Sequence, residues 1–169
     1  MEFKDNSPEF LEKMERACKK ALNDAGIQAV NYAKTNITEG VPRNVSGTST
    51  GALRDSMTHE VRMDVKCVIV GTNVKYAIYN EYGTGVYADG GGGKQGYWVY
   101  VSGSSGGTGT PKVYTEAEAR RIVAIMKSKG LDAHMTKGMK ALHFLKNAIE
   151  DHRDEFKSII SDGIKTAAE

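Results

Sequence analysis

The residues of this chain with types suited to chemistry are four histidines, two cysteines and a glycine run followed by a lysine. Zinc would need ligands at helical or knuckle spacing, such as His-x-x-x-His or Cys-x-x-Cys. His59, His134, His143 and His152 make no such pair. His143 and His152 fall on one helical stretch, but too far apart to share an ion. His59 reads as a hairpin surface residue. Cys18 and Cys67 have no ligand spacing, and Cys67 lies in an apolar strand-like run, which suits a core thiol better than a nucleophile. A serine nucleophile would need a Gly-x-Ser-x-Gly elbow between a strand and a helix. Ser102-Gly103-Ser104-Ser105-Gly106 does not provide one. Gly90 to Gly93 precede Lys94, as in a phosphate loop. Yet Gln95 stands where the magnesium-binding hydroxyl belongs, and Ala88 where the first glycine belongs. Gly83-Thr84-Gly85 lacks the third glycine of a dinucleotide fingerprint. The residue types are present and the spacings are not. The sequence points to work done by contact, with no catalytic residue, cofactor or metal.

Composition agrees with that reading. The 169 residues suit one ordinary domain with its own core, covering 1–169. Lys and Arg number 23 against 21 Asp and Glu, and no basic stripe stands out, so a nucleic-acid binder is not indicated. No apolar run reaches membrane-spanning length. The expectation is a soluble intracellular protein with reduced cysteines.

The elements follow from periodicity. Pro8 opens a helix with Ser7 as its cap, and Phe10, Met14, Ala17, Ala21, Ala25, Ala29, Ala33 and Ile37 recur at three- and four-residue steps. Gly26 weakens its middle by about 1 kcal/mol relative to alanine. The alanine-rich face predicts close packing on a sheet or a second helix. Gly40 to Gly51 reads as a loop, followed by a short turn anchored by Leu53 and Met57, with Arg54 at the surface or in an interface. Residues 57–62 and 65–70 read as an antiparallel hairpin. Val70 to Gly85 is the organising stretch, with Tyr76, Ile78, Tyr79 and Tyr82 crowded before Gly83-Thr84-Gly85. Glu81 there is either buried against the amides of the turn or turned to solvent. Tyr97-Trp98-Val99-Tyr100-Val101 is the strongest strand signal, either a further member of the sheet or a protruding hairpin that meets a neighbour. Thr115 and Glu118 form a capping box for a helix that stops at Gly130. Residues 131–138 read as a connector, and a last long helix begins at Met139. The expected fold is α+β. An antiparallel sheet of about three to four strands is packed by long N-terminal and C-terminal helices, with an extra short helix and flexible glycine-rich loops.

Three motifs carry a resemblance. Thr50-Gly51-Ala52-Leu53-Arg54-Asp55-Ser56 resembles a Thr-Gly-x-Leu-Arg-x-Ser segment. Tyr76-Ala77-Ile78-Tyr79-Asn80-Glu81-Tyr82-Gly83-Thr84 resembles a Tyr-Ala-x-x-x-Glu-aromatic-Gly-Thr signature. Gly138 to Ala148, with Phe144 and Leu145, resembles a closing Gly-x-x-x-x-Pro-Phe-Leu-x-x-Ala motif. In this order they look like the head–tail joining or tail-completion proteins of long-tailed double-stranded DNA phages. The resemblance implies a non-catalytic subunit of a ring at the head–tail junction or the head-proximal end of the tail. It implies neck or connector and tail-tube proteins as partners, DNA passing without specific binding, and no membrane. It places the protein in the virion, and in the host cytoplasm during assembly. Leu53, Arg54, Tyr76, Tyr79, Glu81, Tyr82, Gly83, Thr84, Tyr97, Trp98, Tyr100, Phe144 and Leu145 become fold or interface candidates. The loops at 40–50, 86–96 and 102–111 become docking candidates, and Arg43, Arg54, Lys94 and Lys112 candidates to line a channel. His143 departs from the pattern, standing where the family often has proline. A tail terminator or stopper ring, and a small phage-encoded enzyme or host-directed factor, are the alternatives.

Overall fold

The computed structural model describes residues 5–40, 51–103 and 112–168. The loops expected at 40–50 and 102–111 lie mostly outside these residues, as does Arg43. The chain forms two compact units, one made of residues 1–75 and 144–169 and one of residues 76–143.

The first unit is built on helix α1 (Ser7–Gly40). Its start lies one residue earlier than the capping reading: Ser7 is already helical, and the amide of Phe10 donates to the Asn6 carbonyl at 3.1 Å. The alanine stripe is buried from Ala21 onward. Helix α2 (Gly51–Asp55), strands β1 (Thr58–Arg62) and β2 (Cys67–Gly71), and helices α5 (Phe144–Glu150) and α6 (Arg153–Ala168) all pack on α1. The small side chains permit this from more than one side. A methyl group at Gly163 of α6 would come within 2.9 Å of the Ala21 Cβ.

Gly26 serves the other contact. A Cβ at this position would collide with the His59 ring and approach Val68 Cγ2 to 2.8 Å. The hairpin therefore rests directly on the helix backbone there. His59 is not a surface residue as its place in the hairpin suggested. It turns toward α1, and its Nε2 lies 3.0 Å from Asn23 Oδ1. Gly26→Ala accordingly trades a helix-propensity gain of about 1 kcal/mol against an overpacking cost of about 1–3 kcal/mol. We expect a net loss of stability in thermal unfolding, larger still for Gly26→Val. A higher midpoint for the alanine variant would mean that the hairpin yields.

The hairpin is antiparallel with Arg62 opposite Cys67 and Thr58 opposite Gly71. His59 and Val61 alternate with exposed Glu60 and Arg62, the period-two pattern of a half-buried strand. The C-terminal helix differs from expectation in two ways. It begins at Phe144 rather than Met139, and Asp151 and His152 interrupt it. Tyr32 of α1 meets the interruption. Its ring stacks on His152 with centroids 3.4 Å apart, and its hydroxyl donates to Glu155 Oε2 at 2.6 Å. That hydrogen bond raises the Tyr32 pKa above its ordinary value. Leu53, Ile37 and Phe144 are the largest fully buried side chains, and all belong to this unit.

The second unit contains α3 (Ala77–Tyr82), strands β3 (Trp98–Val101) and β4 (Ala133–Thr136), and α4 (Glu116–Ser128). Trp98 pairs with Thr136 and Val101 with Ala133, antiparallel. Half of the expected connector at 131–138 is thus a strand, Ala133–Thr136. The fold is α+β, but the four strands form two separate sheets of two rather than one sheet of three to four. Helix α4 packs on β3 and β4. Its capping box is complete: Thr115 Oγ1 accepts from the Glu118 amide, and Glu118 Oε2 accepts from the Thr115 amide at 2.9 Å. The bond to the Thr115 amide holds the Glu118 carboxyl below its usual value. Gly130 follows at φ 79°.

Candidate functional site

Two stretches distant in sequence meet in the second unit. Residues 80–86 run beside residues 137–143 and exchange backbone hydrogen bonds. The Thr84 amide donates to the Met139 carbonyl at 2.8 Å, and the Val86 amide to the Lys137 carbonyl at 3.0 Å. In return the Leu142 amide donates to the Asn80 carbonyl at 2.8 Å, and the His143 amide to the Glu81 carbonyl at 3.2 Å. Thr84 adds its hydroxyl oxygen, which accepts from the Met139 amide at 3.0 Å. Buried amides need partners, and this ladder supplies them where no regular sheet does.

Glycine makes the approach possible. Gly83 has φ 72°, Gly85 62° and Gly138 125°, conformations that L side chains rarely adopt. A Cβ on Gly138 would strike the Thr84 carbonyl, and one on Gly85 would strike the Lys137 carbonyl. The Gly-Thr-Gly sequence that fails as a nucleotide fingerprint is a backbone junction. His143 closes it at φ 51°. Proline is fixed near −65° and cannot adopt that conformation, so the departure from the family pattern coincides with a different backbone course. Asp89 Oδ2 lies 3.5 Å from His143 Nδ1.

The junction shapes what surrounds it. Asn80 and Glu81 are the buried polar residues of α3. The Asn80 side chain donates to the Tyr76 carbonyl at 3.1 Å. The opposite positions are exposed: Tyr79 at 57%, Ile78 at 57% and Tyr82 at 54%, with Tyr76 beside them. Six helical residues therefore present an aromatic face that the core does not use. A cleft of about 590 Å³ opens at its edge, lined by Tyr79, Gly83, Thr84, Gly85, Ala88, Gly93, Lys94 and Trp98. Gly93 is required here, since a Cβ would meet the Gly85 carbonyl, whereas Gly90 and Gly91 face open space. Lys137 Nζ sits 5.3 Å from the Tyr87 ring centroid, and its hydrogen bond with Tyr87 raises the ammonium pKa. Such a site has aromatic walls and a backbone floor. Its chemistry suits gripping an apolar or aromatic side chain of a partner.

The structure gathers Tyr79, Gly83, Thr84 and Trp98 around this cleft. Trp98 is half-buried, its Cη2 atom 2.8 Å from where a Cβ of Gly85 would stand, so it serves the fold as well as the surface. Tyr97 is half-buried and bridges Tyr114 through paired backbone bonds. Tyr100 is exposed and stacks on His134, with centroids 5.5 Å apart. Leu53, Phe144 and Leu145 belong to the first unit. Leu53 and Phe144 are fully buried, and Leu145 is half-buried. The Phe144 carbonyl accepts from Asn36 Nδ2 at 3.1 Å. Arg54 is exposed, its Nε donating to Asp55 at 2.9 Å. Sequence reading did not single out Asn80 or Lys137. The glycines at 83, 85 and 138 were the available signal, because backbones in contact need them.

Among the described residues no group of three or more His, Cys, Asp or Glu side chains could hold a metal ion. No helix among them is long and apolar enough to cross a membrane.

Comparison with known proteins gives one family. Residues 2–83 match the HK97-gp10-like model, described as bacteriophage HK97-gp10, putative tail-component. Comparisons with curated proteins and with solved structures give no match. The match takes in the Thr50–Ser56 motif and ends at Gly83, inside the glycine signature, while the Gly138–Ala148 motif lies outside it. From α1 to the first glycine of the junction, the chain matches the HK97-gp10-like family of phage tail-component proteins.

Proposed function

We propose that the protein is a structural part of the phage head–tail connection or of the head-proximal end of the tail. Copies of it form or join a ring through which DNA passes. The match of residues 2–83 to a tail-component family carries this reading and favours a structural role over a catalytic one. The aromatic face of α3 supports it, because tyrosine is enriched where proteins meet and exposed aromatic groups are left without a role in the core. In this reading the face and its cleft contact the next subunit or a neck or tail-tube protein. DNA passes without specific grip, since each phosphate contact would slow its movement. The protein then resides in the virion.

Complementation tests the proposal. Removing the gene from its phage or prophage is expected to leave filled heads and separate tails in negative-stain images. Adding the purified protein to that lysate is expected to join them. Tails of abnormal length would instead assign the protein to a terminator ring. Normal joined particles would overturn the structural role.

A further inference from the structure

One groove of the first unit is lined by cations and by no carboxylate. It runs open between α1 and β1, has a volume of about 480 Å³, and is lined by Arg16, Lys19, Lys20, Asn23, His59 and Val61. The four α1 residues fall at steps of three, four and seven, so one face of the helix presents them together. Lys20 holds Asp24 at 2.7 Å. Arg16 and Lys19 form no ion pair or hydrogen bond among the described residues. Asn23 Oδ1 is taken by His59 Nε2 at 3.0 Å, which leaves the amide nitrogen of Asn23 to donate. The acids nearby on α1 are Glu12, one turn before Arg16, and Glu15, one turn before Lys19; neither lines this groove, and Glu15 lines another, with Leu11 and Met14. On β1, Glu60 is exposed and alternates with the inward His59 and Val61. Composition hid the groove, because Glu9, Glu12 and Glu15 are interleaved with Lys13, Arg16 and Lys19.

The lining identifies the chemistry of an occupant. Cations spaced along a helix face suit a chain that carries negative charge at regular intervals, and a nucleic-acid backbone carries one charge per phosphate. Arginine, lysine and asparagine are usual donors to phosphate oxygens. We propose that this groove takes phosphates of a nucleic-acid backbone, with Arg16, Lys19 and Lys20 as the charged contacts and Asn23 as a neutral donor. Contacts of this kind carry no base information. They depend on salt, and they let a protein slide along the duplex rather than fix it at one sequence. The phosphate chemistry stands on the groove itself. Duplex DNA as its source rests on the structural reading above, and the groove then marks the face of the subunit that DNA passes.

Fluorescence anisotropy of the full chain with a labelled DNA duplex of arbitrary sequence tests it. Three phosphate contacts give a slope of about −2.7 for log affinity against log salt, or roughly 40-fold between 50 and 200 mM sodium chloride. Arg16→Ala and Lys19→Ala are each expected to bring that slope about 1 closer to zero. Lys75→Ala, exposed and outside the groove, should leave it unchanged, and Glu12→Gln should tighten binding. All four changes are at the surface and should keep the wild-type thermal midpoint. No binding at 50 mM salt, or an equal loss in Lys75→Ala, would overturn the proposal. So would a polyglutamate chain that displaces the duplex at equal charge, which would assign the groove to an acidic protein segment. Displacement by inorganic phosphate at equal phosphate concentration would assign it to the free ion and overturn the nucleic-acid source. Joined particles in complementation are counted apart from these titrations. A groove that binds nothing therefore leaves the structural role standing, and a failed complementation leaves the measured DNA binding standing.

Discussion

Gly138→Ala is expected to be among the most damaging single substitutions in the second unit. Two costs add. Gly138 sits at φ 125°, a backbone conformation that costs a residue with a Cβ about 1–3 kcal/mol. The new methyl group would also meet the Thr84 carbonyl and come within 2.7 Å of its carbon, an overpacking cost of about 1–3 kcal/mol. Together they reach roughly 2–6 kcal/mol, against a typical total stability of about 5–15 kcal/mol. Thermal or urea unfolding gives the number. Gly90→Ala is the matched comparison, because Gly90 also has positive φ, at 73°, but faces open space. It should lose only the backbone cost. If the two variants lose the same amount, contact between the two stretches is not what requires glycine at 138.

The second large effect is one on assembly without one on folding. Tyr79→Ala combined with Tyr82→Ala removes two rings that are more than half exposed. Surface changes of this kind usually shift stability by no more than about 0.5 kcal/mol each. Loss of aromatic anchors from an interface centre costs about 2 kcal/mol or more, which is over tenfold in affinity. The double variant should therefore unfold near the wild-type midpoint while yielding at least about tenfold fewer joined particles in complementation. Phe144→Ala should do the reverse in order. It empties a fully buried position at about 3–5 kcal/mol and fails by not folding. A tyrosine variant that melts as early as Phe144→Ala, or that joins particles normally, would remove the aromatic face from the proposed function.

The parts of this molecule that were legible in the sequence are those whose signals are local. The stripe from Phe10 to Ile37 is read from spacing alone, because a helix repeats its face every few residues. The capping box at Thr115 and Glu118 is contained in four residues, and both of its hydrogen bonds are present. The β1–β2 hairpin has its partner next door. Strand β4 was missed for the opposite reason. Ala133-His134-Met135-Thr136 has little strand character, and its pairing with β3 joins residues more than thirty positions apart. The helix expected from Met139 fails likewise. Leu142 sits at a helical step, but its amide is taken by Asn80, and Gly138 and His143 have positive φ. Glu81 could not be settled locally either. It is buried because residues 141–143 run alongside α3, and its own neighbours carry no sign of that. The aromatic face was visible as a cluster of tyrosines. Which of them would stay exposed depended on the side that the junction covers.

The order in which the ribosome delivers the chain follows from how the first unit is divided. Helix α1 is made before residues 76–143, yet α5 and α6, which pack on it, are made after them. The second unit is one continuous run, residues 76–143, whereas the first is split around it. The second unit can thus close without α5 and α6, while part of the alanine face of α1 waits for them. A released chain ending at His143 should protect the glycine junction from proteolysis and leave α1 open to cleavage.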